Sequence, residues 1–195
     1  MTALAKRSCG PCTACCTILK IAAPELRKKA HKPCQHLSGA GCGVYQQRPQ
    51  VCQQFLCGWR LFAELGDDWR PDLSGVMVMR KAPEELPPAY RAAGYGVELA
   101  IIGGRAAIER PAFARFVAGL LAKGIAVSMS AASPSTLVNE HLEPGLERDP
   151  DALRGKLLAL YEMLHAARWG IGMLVPLYRL QLDRQRQKYL SRSNS

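Results

Sequence analysis

All eight cysteines of this 195-residue chain lie in its first 57 positions, at Cys9, Cys12, Cys15, Cys16, Cys34, Cys42, Cys52 and Cys57, and residues 58–195 contain none. Thiols this crowded are either cross-linked or gathered around metal, and the redox compartment decides between the two. Lys6 and Arg7 lead into Ser8, Cys9 and Gly10 rather than into an apolar stretch, so no secretory leader is expected and the chain is expected in the cytoplasm. A reducing compartment favours metal over disulfides. The steps Cys9-Gly-Pro-Cys12 and Cys12-Thr-Ala-Cys15 are successive C-x2-C spacings, which bring thiolates around a tight turn to a shared ion. Gly10 and Pro11 suit such a turn, one by relieving the steric limit on φ and the other by presetting it. Eight thiols in 49 residues also argue against inert, buried cysteines, which otherwise behave as small hydrophobes.

The spacing leaves the metal open. Cys9-x2-Cys12-x2-Cys15 matches the first three positions of the bacterial ferredoxin run, but Cys16 follows at once and the later Cys-Pro step is missing. Zinc asks only for four thiolates or imidazoles in tetrahedral array, and Cys34, Cys42, Cys52 and Cys57 could complete one or two such sites. In an extended chain Cys15 and Cys16 point to opposite faces, which implies two sites, or one ligand and a spare thiol. The division of eight ligands between sites is not readable from their order. His31 and His36 flank Cys34 and are expected beside the ligands or at the surface; His141 and His165 have no ligand motif near them.

The set Cys9, Cys12, Cys15, Cys16, then Cys34-Gln-His-Leu37, Cys42-Gly-Val-Tyr45, Arg48-Pro49-x2-Cys52 and Phe55-x-Cys57 resembles the bacterial cysteine-cluster proteins of the YkgJ type. The resemblance covers about the first 60 residues and implies a zinc- or iron-chelating module, with all eight cysteines as candidate ligands. Gln53 stands where that family commonly has Arg. Tyr45 and Leu37 are expected to pack beneath the cluster.

Charge follows the cysteines. Residues 1–57 hold Lys6, Arg7, Lys20, Arg27, Lys28, Lys29, Lys32 and Arg48 against Glu25 alone, a formal +7 within a chain of +10. A four-thiolate site around a divalent ion is a dianion, so two would offset more than half of that excess. The basic balance therefore does not require nucleic acid. A second basic stretch, Arg179, Arg184, Arg186, Lys188 and Arg192, falls in a segment where Leu174 to Leu190 could form one amphipathic helix, either docked or able to touch RNA or an acidic membrane.

From Trp59 the pattern becomes that of an ordinary α+β protein. Ser74–Met79, Gly96–Ile102 and Gly124–Ser130 read as strands. Pro111–Lys123 reads as a helix, and Asp149-Pro150 opens another with Leu153, Leu157, Leu160, Tyr161 and Leu164 on one face. In the first third, Pro24-Glu25 followed by Leu26–Ala30 reads as a short helix presenting Arg27, Lys28 and Lys29 to solvent, and Arg48-Pro49 opens another that carries Cys52. The expectation is an α+β fold: a cysteine-rich module over residues 1–60, packed on a small sheet with covering helices over 61–195, the two forming one compact unit.

No apolar run reaches the roughly 18 residues a membrane span requires. Gly103-Gly104 lacks a phosphate-loop pattern, and Ser128, Ser130, Ser133 and Ser135 sit in no nucleophile-elbow context. Outside the cysteines no catalytic constellation is visible. Three readings follow: a metal-binding protein that chelates zinc or iron, an iron-sulfur redox protein or enzyme, and a zinc-scaffolded RNA-binding module. The first is carried forward, with nucleic acid disfavoured by the charge argument and no protein partner indicated.

Overall fold

A computed structural model describes residues 7–39, 41–131 and 135–168, with the side chain of Arg168 excepted. The stretch proposed to form a helix from Leu174 to Leu190 lies outside the described residues.

The cysteine-bearing third is built of short pieces. Helix α1 (Ala14–Ile18) is followed by a hairpin of β1 (Ile21–Ala23) and β2 (Leu26–Lys28), a second hairpin of β3 (Leu37–Ser38) and β4 (Gly41–Cys42), and the one-turn helices α2 (Gln50–Gln54) and α3 (Gly58–Leu61). The expected helix at 25–30 is therefore a strand. Pro24-Glu25 opens a helix or turns a hairpin equally well, and the pairing Ile21↔Lys28, Ala22↔Arg27, Ala23↔Leu26 decides for the hairpin. Leu26 and Lys28 are buried and Arg27 is exposed, the alternation of a strand.

The remainder carries a four-stranded sheet. Helix α4 (Pro71–Ser74) leads into β5 (Val76–Lys81), so the expected strand starts two residues late. Pro71 opens α4, its fixed φ suiting the first helical position. Strand β6 (Gly96–Ile101) is followed by α5 (Arg105–Glu109) and α6 (Pro111–Ala122), then β7 (Ala126–Ser130), β8 (Ser135–Leu137) and α7 (Pro150–Arg168). The sheet order is β5-β6-β7-β8, with β6 and β7 parallel and both outer pairs antiparallel. A parallel pair needs a long crossover, which α5 and α6 supply.

Period-two alternation gives the sheet two apolar faces. Val76, Val78, Val97, Leu99, Ile101, Val127 and Met129 meet Ala107 and Ile108 of α5, Phe113 and Val117 of α6, and Leu153, Leu157, Leu160, Tyr161 and Leu164 of α7 in the main core. On the opposite face Met77 and Ala100, with Met79 and Ile102, pack against Ala14, Cys12, Cys15, Leu19 and Phe55. The cysteine-bearing segment thus roofs the side of the sheet that the helices leave open. The Gly103-Gly104 turn closes on β5: Gly75 lies at φ +70°, accepts hydrogen bonds from the Ile102 and Gly103 amides at 2.9 and 2.8 Å, and leaves no space for a side chain at Gly103. Among the described residues no helix is long and apolar enough to cross a membrane.

Candidate metal centre

Each short element of the first third delivers a thiol. Cys12 closes a turn on Cys9, its amide donating to the Cys9 carbonyl at 3.0 Å; Cys15 and Cys16 lie on α1; Cys42 ends β4; Cys52 lies on α2; and Cys57 is the N-cap of α3. The Cys34 amide donates to the Cys16 carbonyl at 2.8 Å, which fastens the loop before β3 to α1. All eight cysteines are free. All eight also line a single cavity of about 330 Å³, between the two hairpins, the one-turn helices and Met77 of the sheet.

The sulfurs differ in their surroundings. Cys15 and Cys16 are not on extended backbone but on a helix, and their sulfurs lie 4.0 Å apart, so the premise that they face opposite ways fails. The hydrogen bond between them pushes the Cys15 thiol far up, with burial adding to it, and pulls Cys16 below the ordinary thiol range, with the Lys28 ammonium helping. Burial raises Cys12, and the Asp72 carboxylate facing it adds to the rise. Burial raises Cys52, reinforced by Cys16, Cys34 and Cys42. Burial also raises Cys57, opposed by the Arg60 and Trp59 amides at the start of α3.

Three charged side chains emerge only in the fold. Lys28, expected on a solvated face, is 7% exposed, and its ammonium donates to the carbonyls of Leu19 at 2.6 Å, Lys29 at 3.1 Å and Thr17 at 3.3 Å. All three of its protons are thereby used. Burial lowers its pKa, while Cys34, Cys16 and Cys15 act in the opposite direction. Asp72 is held below the usual carboxylate range by the Arg70 guanidinium, which it meets at 2.6 and 3.0 Å. Arg60 donates from Nε to the Arg7 carbonyl at 2.7 Å, and Arg7 donates back to the Trp59 carbonyl at 2.6 Å.

Other expectations fare unevenly. His36 lines the cavity beside Gln35, at 3.2 Å, whereas His31 is exposed. Tyr45 lines the cavity but is not covered by it: it is 38% exposed, with the Arg48 guanidinium 4.2 Å above its ring. His141 does not line the cavity, and its Nε2 lies 2.7 Å from Thr136 Oγ1.

Among the described residues no group of three or more His, Cys, Asp or Glu side chains already stands in an arrangement that could hold an ion. The donor chemistry nonetheless fits a thiophilic metal, since eight free thiols share one cavity. Comparison with protein-family models, curated proteins and solved structures finds no match to this chain.

Proposed function

We propose that this protein binds zinc or iron through Cys9, Cys12, Cys15, Cys16, Cys34, Cys42, Cys52 and Cys57. The observation that carries the reading is that eight free thiols, delivered by separate elements over nearly 50 residues, line one cavity. Chance burial of cysteines scatters them through a core, whereas these share one space and leave the rest of the chain without any. The ordered set of cysteines with Tyr45 and Arg48-Pro49, which resembles the YkgJ-type chelating proteins, supports the same reading. Bound metal would hold the short elements of the first third together, as small metal modules use ligand binding to replace a core they lack.

The test is anaerobic purification of the full chain, followed by elemental analysis and an absorption spectrum. Zinc without visible absorption identifies a zinc protein, and a visible band that bleaches on reduction identifies an iron-sulfur centre. Metal-free protein whose eight thiols remain fully reactive after addition of zinc or iron(II) overturns the proposal.

A further inference from the structure

The cavity that the cysteines line has a second kind of wall. Its volume is about 330 Å³, more than twice the roughly 150 Å³ that admits a benzene ring in an engineered core. Ile21 and Leu26 of the first hairpin, Phe55 just after α2, Trp59 of α3 and Met77 of the sheet supply apolar surface to it. Leu26, Trp59 and Met77 are buried, so that part of the wall is fixed by packing on the rest of the molecule. A concave, mostly apolar space of this size with a few polar groups on its wall is the usual form of a small-molecule site.

The charged groups on the wall are all of one sign. Among the described residues Lys20, Arg48 and Arg60 line the cavity, no carboxylate does, and none of the three cations is in an ion pair. Both arginines are nonetheless held in place. The Arg48 guanidinium lies 4.2 Å over the Tyr45 ring and donates to the Tyr45 carbonyl at 3.4 Å, while Arg60 donates from Nε to the Arg7 carbonyl at 2.7 Å. Each keeps further N–H donors of its fork for another acceptor. Two neighbouring acids are engaged elsewhere, Asp72 with the Arg70 guanidinium and Glu25 with the Val51 amide. Lysine and arginine donate and never accept, so the ligand they select carries an acceptor of negative charge, and the planar guanidinium fork matches a carboxylate.

We propose that the cavity binds a small organic acid with an apolar body, an aryl carboxylate, whose ring lies against Phe55, Trp59 and Met77 and whose charge is met by Arg48 and Arg60. A ligand of the same shape with an ammonium end is repelled by those cations, and one with a hydroxyl end gains only neutral hydrogen bonds. The site uses the apolar wall and its cations rather than the thiols, so it is independent of metal binding.

The test titrates naphthoate into the reduced full-length chain, as purified and again after treatment with a chelator, and reads binding by calorimetry. Saturable binding is expected in at least one of the two states, with naphthylmethanol and naphthylmethylamine weaker by about tenfold or more. Bound naphthoate should slow the alkylation of the cysteines by iodoacetamide, because all eight line the same cavity. At least one of Arg48→Gln and Arg60→Gln should weaken naphthoate by about tenfold and leave naphthylmethanol unchanged. The comparison of acid, alcohol and amine uses the unsubstituted chain and needs no variant to fold. The proposal is overturned by absence of binding at millimolar naphthoate in both states, by alcohol or amine binding as tightly as the acid, by alkylation that naphthoate does not slow, or by unchanged affinity in both variants. Each of these outcomes leaves the metal content of the chain, measured separately, to decide the metal-binding reading.

Discussion

At the scale of single residues, Lys28 shows how a side chain can be placed by carbonyls rather than by acids. Its ammonium bonds three backbone oxygens where α1 gives way to the first hairpin, and no carboxylate enters that set. A methionine of similar length keeps the packing but removes the donor that holds those three carbonyls together. Lys28→Met should therefore cost about 2–4 kcal/mol of stability, read as a lowered denaturation midpoint, and should weaken metal uptake. A shift below about 0.5 kcal/mol, the usual range of inconsequential surface changes, would show that water or other donors satisfy the carbonyls. The sequence presents Arg27, Lys28 and Lys29 as one basic run. Their division into exposed, buried and exposed follows from strand alternation, which becomes visible only once Ile21–Ala23 is known to be the partner.

At the scale of elements, α3 couples the thiols to the sheet. It begins at Cys57 and lies against β5 with Gly58 facing Val78, where an added Cβ would come within 2.4 Å of Val78 Cγ1 and 2.6 Å of its Cβ. Val78 is fully enclosed in the main core and cannot retreat. Gly58→Ala should displace α3, lower stability by about 1–3 kcal/mol and, through Cys57 at its start, reduce the metal the chain takes up. Thermal unfolding and metal content of the variant check both parts; unchanged stability would mean that α3 is free to slide. The helices α6 and α7 were legible from their 3.6-residue periodicity because their burial on one side is a local property of the sequence. The two-residue strands β3 and β4 were not, being too short to show a period and held by a single pairing that brings Cys42 opposite Leu37.

At the scale of the whole molecule, two kinds of structure share one sheet. Its helix-covered face has a continuous apolar core, whereas the roof over Met77, Met79, Ala100 and Ile102 is a chain of short elements with a cavity at its centre. Removing metal with a chelator should therefore loosen residues 7–57 much more than residues 76–131 and 135–164. Hydrogen exchange should show at least a tenfold loss of protection at Cys34 and Leu37, an opening easier by about 1.4 kcal/mol, with the amides of β6 and α6 little changed. Equal loss in both regions would mean that the roof and the sheet open as one unit.

Composition and order alone determined the chemistry offered by this chain, eight soft donors at one end amid basic residues, because a thiol is a thiol wherever the backbone takes it. The α+β character and the faces of the longer helices were likewise determined locally, by periodicity. Which sulfurs become neighbours was decided only by the tertiary structure. Cys9 and Cys57 stand 48 residues apart yet line the same cavity, where Arg7 and Arg60 bond the Trp59 and Arg7 carbonyls between their segments. Proximity between such thiols depends on strand pairing and helix docking, interactions between distant segments that no local pattern encodes.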